Sequence, residues 1–237
     1  HWIEPGRGAS TTNEGDDQPL PIERIADRAQ WTEALEWIET PAPSAEPSRA
    51  TWLVFAQQDE ASRAVLKELE HRGNKTIVVE AGTAFAARGG SFVVRPDSDA
   101  DHDALFAALG SVPQRVLHLW SLADRTTPRP VPFDAAFGFA KALQNADPEP
   151  GTRVVFATAG AVPAGGANVT DVDAAAVLGI AAVLPREVPG VEAAMVDAGH
   201  DGDVIATARR LVDEASAAGT MAPRVAWSGQ RRFVAQR

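Results

Sequence analysis

The turn that follows the first buried-type strand contains no glycine. Residues 51–56 read Thr51-Trp52-Leu53-Val54-Phe55-Ala56, a short apolar run, and the chain continues Gln57-Gln58-Asp59-Glu60-Ala61-Ser62. A dinucleotide pyrophosphate packs against backbone N–H groups at the start of the first helix, so its turn needs residues without Cβ and no carboxylates. Asp59 and Glu60 would repel it. The chain also has no Tyr and no Cys, which removes the phenol many carbonyl reductases use as proton donor and the thiol of covalent catalysis. These residues predict a cofactor-binding type of fold without its cofactor site.

Downstream, apolar runs alternate with helical periodicity. Residues 59–72 place Ala61, Ala64, Val65 and Leu69 at helical spacing and close on Gly73. Strands are expected over 76–79, 91–95, 115–120, 153–158 and 192–196. Between them, helices are expected around Leu105–Leu109 with Asp101 as cap, from Pro132 through Ala140, and from Asp171 or Asp173 through Ala181. Pro185 and Pro189 are expected to force a loop. A last helix over 203–218 carries Val204, Ile205, Ala208, Leu211, Val212 and Ala215 on one face, and residues 224–227 and 231–234 read as a hairpin around Ser228-Gly229. Strands rich in Val, Leu and Phe and separated by helices predict an α/β fold, a mostly parallel sheet with helices on both faces. Residues 31–38 are ambiguous between a strand and a helical turn, while residues 5–21 have the composition of a linker.

Charge and composition exclude several function classes. With 22 Lys plus Arg against 32 Asp plus Glu, the formal charge of −10 disfavours phosphate backbones, so nucleic acid is not an expected partner. The basic residues Arg231, Arg232 and Arg237 are read as a solvated end. Absence of Cys fits a reducing compartment, and the cytoplasm is the expected location. No apolar run approaches the roughly 18 residues of a membrane span. The chain opens on His1 instead of Met and is expected to be a segment of something longer.

The glycine-containing loop 159–166 lies after a strand, where open α/β sheets bind ligands, but its spacing fits neither the dinucleotide fingerprint nor a P-loop. It is read as a plain loop, and Arg88-Gly89-Gly90 as a turn. The five His, at 1, 71, 102, 118 and 200, show no metal-ligand spacing. His118 is expected to be a buried imidazole bonded to a neighbour, and His102 part of a helix start. Asp99, Asp101 and Asp103 are expected to gain from the helix dipole, not from a cation. No serine stands in a G-x-S-x-G context. Catalytic, cofactor-binding and metal residues are therefore all assigned as none.

Several segments together resemble a known family. Val116-Leu117-His118-Leu119-Trp120-Ser121-Leu122, preceded by Arg115, is similar to the most recognisable strand in the structural subdomain of the ketoreductase of type I modular polyketide synthases. Trp52-Leu53-Val54-Phe55 resembles that subdomain's first Rossmann strand, and residues 26–37 its opening strand. Leu178-Gly179-Ile180 with residues 183–190 resembles the segment before the strand ending in Val196-Asp197. Residues 224–227 and 231–234 resemble the exit ribbon, and His1-Trp2-Ile3-Glu4-Pro5 the end of a post-acyltransferase linker.

The resemblance implies a linker over 1–25 and a ketoreductase structural subdomain over 26–237, a truncated Rossmann-like half without a catalytic role. It assigns NADPH and the catalytic Ser, Tyr and Lys to a separate catalytic half, so no cofactor is expected on this segment. The implied partners are that catalytic half and other synthase domains, including the acyl carrier protein on which β-ketoacyl chains are reduced. An inactive or split reductase remnant serving as a docking platform is the alternative, and a stand-alone NADPH-dependent oxidoreductase a further one. A half evolved to be covered should expose an apolar patch towards its partner.

Overall fold

The computed structural model describes residues 35–45, 49–122, 130–199 and 202–236, all within one unit, Leu35–Arg237. The linker expected over 1–25, His1, His200 and the first residues of the expected subdomain lie outside them.

Ten strands form one sheet in the order β1-β10-β9-β8-β7-β6-β2-β3-β5-β4. They are β1 Glu36–Thr40, β2 Thr51–Ala56, β3 Lys75–Ala81, β4 Ala86–Arg88, β5 Ser91–Val94, β6 Arg115–His118, β7 Arg153–Thr158, β8 Glu192–Asp197, β9 Arg224–Ser228 and β10 Arg231–Gln236. From β5 to β9 every neighbouring pair is parallel. The edge pairings of β4, β10 and β1 are antiparallel. The ambiguous residues at 36–38 thus belong to a strand, because β10 offers them a ladder from Glu36↔Gln236 to Thr40↔Arg232.

The helices are α1 Glu60–His71, α2 Asp99–Leu109, α3 Pro132–Asn145, α4 Val172–Ala175, α5 Val177–Glu187 and α6 Val204–Ala215. Strand alternation divides the core between the two faces of the sheet. Leu53 and Phe55 of β2 pack with Leu105 of α2, Phe139 of α3 and Leu184 of α5. Trp52, Val54 and Ala56 face the other way, towards Val65 and Leu69 of α1 and Leu211 and Val212 of α6. The expected α/β fold with helices on both faces is what forms.

The truncation of the Rossmann plan lies between β3 and β5. Parallel neighbours are ordinarily joined through a helix. Here residues 82–90 carry only β4, which pairs antiparallel with β5 through Ala86↔Val93 and Arg88↔Ser91. On the α1 side this leaves a strip of sheet without a covering helix. Its sequence suits that exposure, with Thr76, Glu80, Ser91 and Arg88 interspersed among half-buried Val78 and Val93.

Two local expectations are corrected. Ser98, not Asp101, caps α2, its hydroxyl accepting from the Asp101 amide at 3.3 Å. Pro185 does not end α5 but sits inside its last turn. The missing N–H costs little there, because the helix stops two residues later and Val188 N–H closes it on Leu184 C=O at 2.9 Å.

Glycine matters for different reasons at Gly110 and Gly199. Gly110 ends α2 at φ 71° in open space, whereas Gly199 has φ 75° and a Cβ there would lie 2.5 Å from the Trp227 carbonyl oxygen. Gly110→Ala should cost about 1 kcal/mol, from backbone strain alone. Gly199→Ala should cost clearly more, since β9 must shift as well. Chemical denaturation of the two variants side by side checks the order.

Candidate functional site

The strand order reverses between β2 and β6, and the crevice beyond their carboxyl ends is where doubly wound sheets bind nucleotides. Three side chains fill it. Trp120, fully buried just after β6, donates its indole Nε1–H to Ala56 C=O at 3.0 Å. Gln57 crosses back, its Nε2 donating to Trp120 C=O at 3.1 Å, while its backbone N–H donates to Ser62 Oγ at 3.0 Å. Asp59 then caps α1, Oδ1 accepting from Ser62 N–H at 2.7 Å.

A pyrophosphate bound here would need the N–H groups at the start of α1, which the macrodipole makes electropositive. The protein's own carboxylate already accepts one of them. A dinucleotide phosphate at this helix start would displace Asp59 or sit against its charge. The residues present therefore do not fit the phosphate group of a nicotinamide cofactor. Absence of glycine was readable in the sequence; the indole plug was not, because its hydrogen bond joins residues 64 apart in the chain.

The second anion-binding geometry is treated the same way. Beyond β7, the loop 159–166 turns its amides onto Asp197, a buried carboxylate at the end of β8. Asp197 accepts from Gly160 N–H at 3.0 Å, Gly199 N–H at 3.1 Å, Thr158 Oγ1 at 3.3 Å and the Ala161 N–H. A nest that would suit an external anion is closed by an internal one. Gly165 serves packing, since a Cβ there would lie 2.8 Å from the Phe233 ring. The cleft of about 250 Å³ left between this loop and Trp227 is smaller than ligand sites commonly are.

The histidines hold a surprise of placement. His118 and His102 approach the same Phe55 ring, at 4.9 and 6.5 Å between centroids, with Trp120 and Phe139 around His118. His102 Nδ1–H donates to Ser98 C=O at 3.0 Å, but neither nitrogen of His118 has a hydrogen-bond partner. The expectation that His118 would be bonded to a neighbour is corrected: its surroundings are aromatic rings that offer no lone pair. Burial pushes its pKa down to about 3, helped by the nearby His102, whose own pKa burial also lowers.

Nor are the acidic residues of α2 served by the dipole alone. Arg95 grips Asp101 with Nη2 at 2.6 Å and Nε at 2.9 Å, and this fork holds the Asp101 carboxyl well below the usual range. Asp99 pairs with Lys141 of α3. Cations across the turn and on the next helix were close enough to win. Among the described residues no group of three or more His, Asp or Glu is placed to hold a metal ion, and no helix is long and apolar enough to cross a membrane.

One surface is apolar. Phe133 and Phe137 of α3 are 42% and 45% exposed and stack on each other at 5.6 Å. Val131 just before α3, Val172 of α4 and Val183 of α5 are exposed on elements packed beside them. Covering such aromatic pairs is what protein interfaces do well.

Comparison with known proteins defines the class. A family model described as "Beta-ketoacyl synthase-like, N-terminal" matches residues 50–130, from just before β2 to just before α3. No curated protein matches. Among solved structures, the chain is similar to a multidomain adenylation, ketoreductase and pseudo Asub structure of a keto acid-selecting NRPS module. That match has TM-score 0.69 and 18% identity over 85% of this chain, and 18% of that one. It is also similar to A-type ketoreductases from a modular polyketide synthase, with TM-score 0.62 and 21% identity over 86% of this chain and 42% of those. A short-chain dehydrogenase/reductase from Vibrio parahaemolyticus matches at TM-score 0.56 and 15% identity, over 75% of this chain and 98% of that enzyme. The chain thus has the Rossmann-like fold of the short-chain reductases. More particularly, it resembles the structural subdomain of polyketide synthase ketoreductases, in agreement with its sequence, and spans less than half of those ketoreductase chains.

Acid should destabilise the protein before its carboxylates titrate. A histidine held at a pKa of about 3 when folded and about 6.5 when unfolded binds fewer protons in the native state, so stability is full above pH 6.5 and is lost as pH falls. At pH 5 the loss from His118 should reach about 2 kcal/mol. Asp101 acts only lower, below the ordinary carboxylate pKa of about 4. Urea midpoints at pH 7 and pH 5 for the wild type and His118→Leu should show the difference shrinking in the variant; an unchanged difference would refute this assignment.

Proposed function

We propose that the chain is the non-catalytic scaffold half of a polyketide synthase ketoreductase, supporting a catalytic half that reduces β-ketoacyl chains on an acyl carrier protein with NADPH. The observation that carries this reading is the filled crevice, where Trp120, Gln57 and Asp59 occupy the place of a dinucleotide. The lengths support it. This chain aligns with nearly all of a short-chain reductase but about two-fifths of a ketoreductase, which leaves those ketoreductases room for a second unit of the same kind. The exposed aromatic pair on α3 supplies the apolar patch that such a companion would cover.

Two measurements test the reading. Titration of NADPH into the chain, followed by tryptophan fluorescence and calorimetry, should show no saturation below about 1 mM, a binding free energy weaker than about 4 kcal/mol. Micromolar saturation would instead favour a reductase in its own right. Co-expression with the catalytic half should yield a complex that reduces a β-ketoacyl thioester, and Phe137→Lys should weaken that complex at least tenfold, as loss of a buried aromatic anchor does.

A further inference from the structure

β1 and β10, the first and last strands of the α/β unit, lie outside its parallel core. Their ladder sets Glu36 opposite Gln236, so the two strands run side by side. Apolar anchoring of this ribbon rests on Phe233 of β10, 5% exposed, with Trp37 and Val234 packed at the edges of the two cores. In β1 only Trp37 and Thr40 are half-buried, and Ile38 is 41% exposed.

A polar junction joins the ribbon to the body beside that apolar contact. Thr40, Arg232 and Trp227 are direct cross-strand partners on β1, β10 and β9, and side chains opposite one another in a sheet share a face. Two of them, Arg232 and Trp227, reach one helix directly. Glu214 of α6, 2% exposed, accepts from Arg232 Nε at 2.6 Å and Nη2 at 2.9 Å. It also accepts from Trp227 Nε1 at 3.2 Å, and Arg232 Nη1 donates onward to Thr40 Oγ1 at 2.8 Å. One turn earlier, Arg210 lies over the Trp227 ring at 5.2 Å. The expectation that Arg232 belongs to a solvated basic end is thereby corrected: its side chain is 11% exposed, since the guanidinium fork fits a buried carboxylate.

We propose that Glu214 is a latch, the positioning residue that fixes the β1–β10 ribbon to α6. This deepens the scaffold reading, since a scaffold must hold its companion in one orientation, but the latch is testable without it. A carboxylate on a rigid helix, gripped by a two-toothed donor from the ribbon's central strand, resists both sliding and twisting. An apolar contact would resist neither as well. The pair is shielded from water, so removing one partner leaves the other charged and unpaired, and the ribbon can relieve that by opening to solvent.

Hydrogen exchange on the full chain tests the latch. In Glu214→Gln, amides of Glu36–Thr40 and Arg231–Gln236 should exchange roughly 100-fold faster, while those of β2, β6 and β7 keep wild-type protection. Arg232→Lys, which keeps the charge but loses the fork, should accelerate the same amides roughly tenfold and serves if the first variant does not fold. Wild-type exchange in the ribbon, or equal acceleration of every strand, would overturn the proposal. Because the readout is local opening, a failed latch leaves the NADPH titration unaffected, and the two readings fall separately.

Discussion

A parallel sheet has no face to give to water, and the need to cover both faces governs how this chain is built. In β2, Leu53 and Phe55 enter one core while Trp52, Val54 and Ala56 enter the other, and all five are at most 2% exposed. That requirement dictates helices on each side and the alternation that carries them. It also explains the one departure. Where the crossover helix between β3 and β5 is replaced by β4, the uncovered face has taken on Thr76, Glu80, Ser91 and Arg88. The sheet tolerates loss of a helix only where its residues can be wetted.

The same fold creates electropositive points at helix starts and backbone nests, which enzymes of this architecture use for phosphate. Here two of them are neutralised from within. Asp59 takes an amide at the head of α1, and Asp197 gathers the amides of Gly160, Ala161 and Gly199. Both carboxylates are supplied in cis at full effective concentration, with no ordering left to do on binding. A diffusing phosphate would have to displace them and add the repulsion of the carboxylate it leaves behind. At both points the backbone donors are satisfied by the protein's own carboxylates.

How much of this was legible in the sequence follows from the range of each interaction. β2, β7 and β8 were readable because an apolar run between turn residues carries its own evidence. The missing glycine at Gln57–Asp59 was equally local. The indole of Trp120, the meeting of His102 with His118, and the fork of Arg232 on Glu214 depend on elements brought together by topology, and no spacing announces them. β4 escaped notice because three residues, Ala86–Arg88, are too few to show alternation. Arg95 and Asp101 sit only six residues apart, yet their pairing needed the chain to reverse between β5 and α2.

Rigidity and exposure are distributed unevenly over this molecule. The crevice an enzyme would keep open and hydrated is packed with Trp120 and its hydrogen bonds. The helix face a self-sufficient enzyme would keep polar instead presents Phe133 and Phe137, already stacked and therefore already ordered. An interface whose aromatic anchors are fixed beforehand loses little side-chain entropy when covered. With the ribbon tied to α6 at Glu214, the exposed aromatic pair and the ribbon are both anchored to the same twice-covered sheet. Stiffness concentrated at such contacts is what the proposed scaffold role would require.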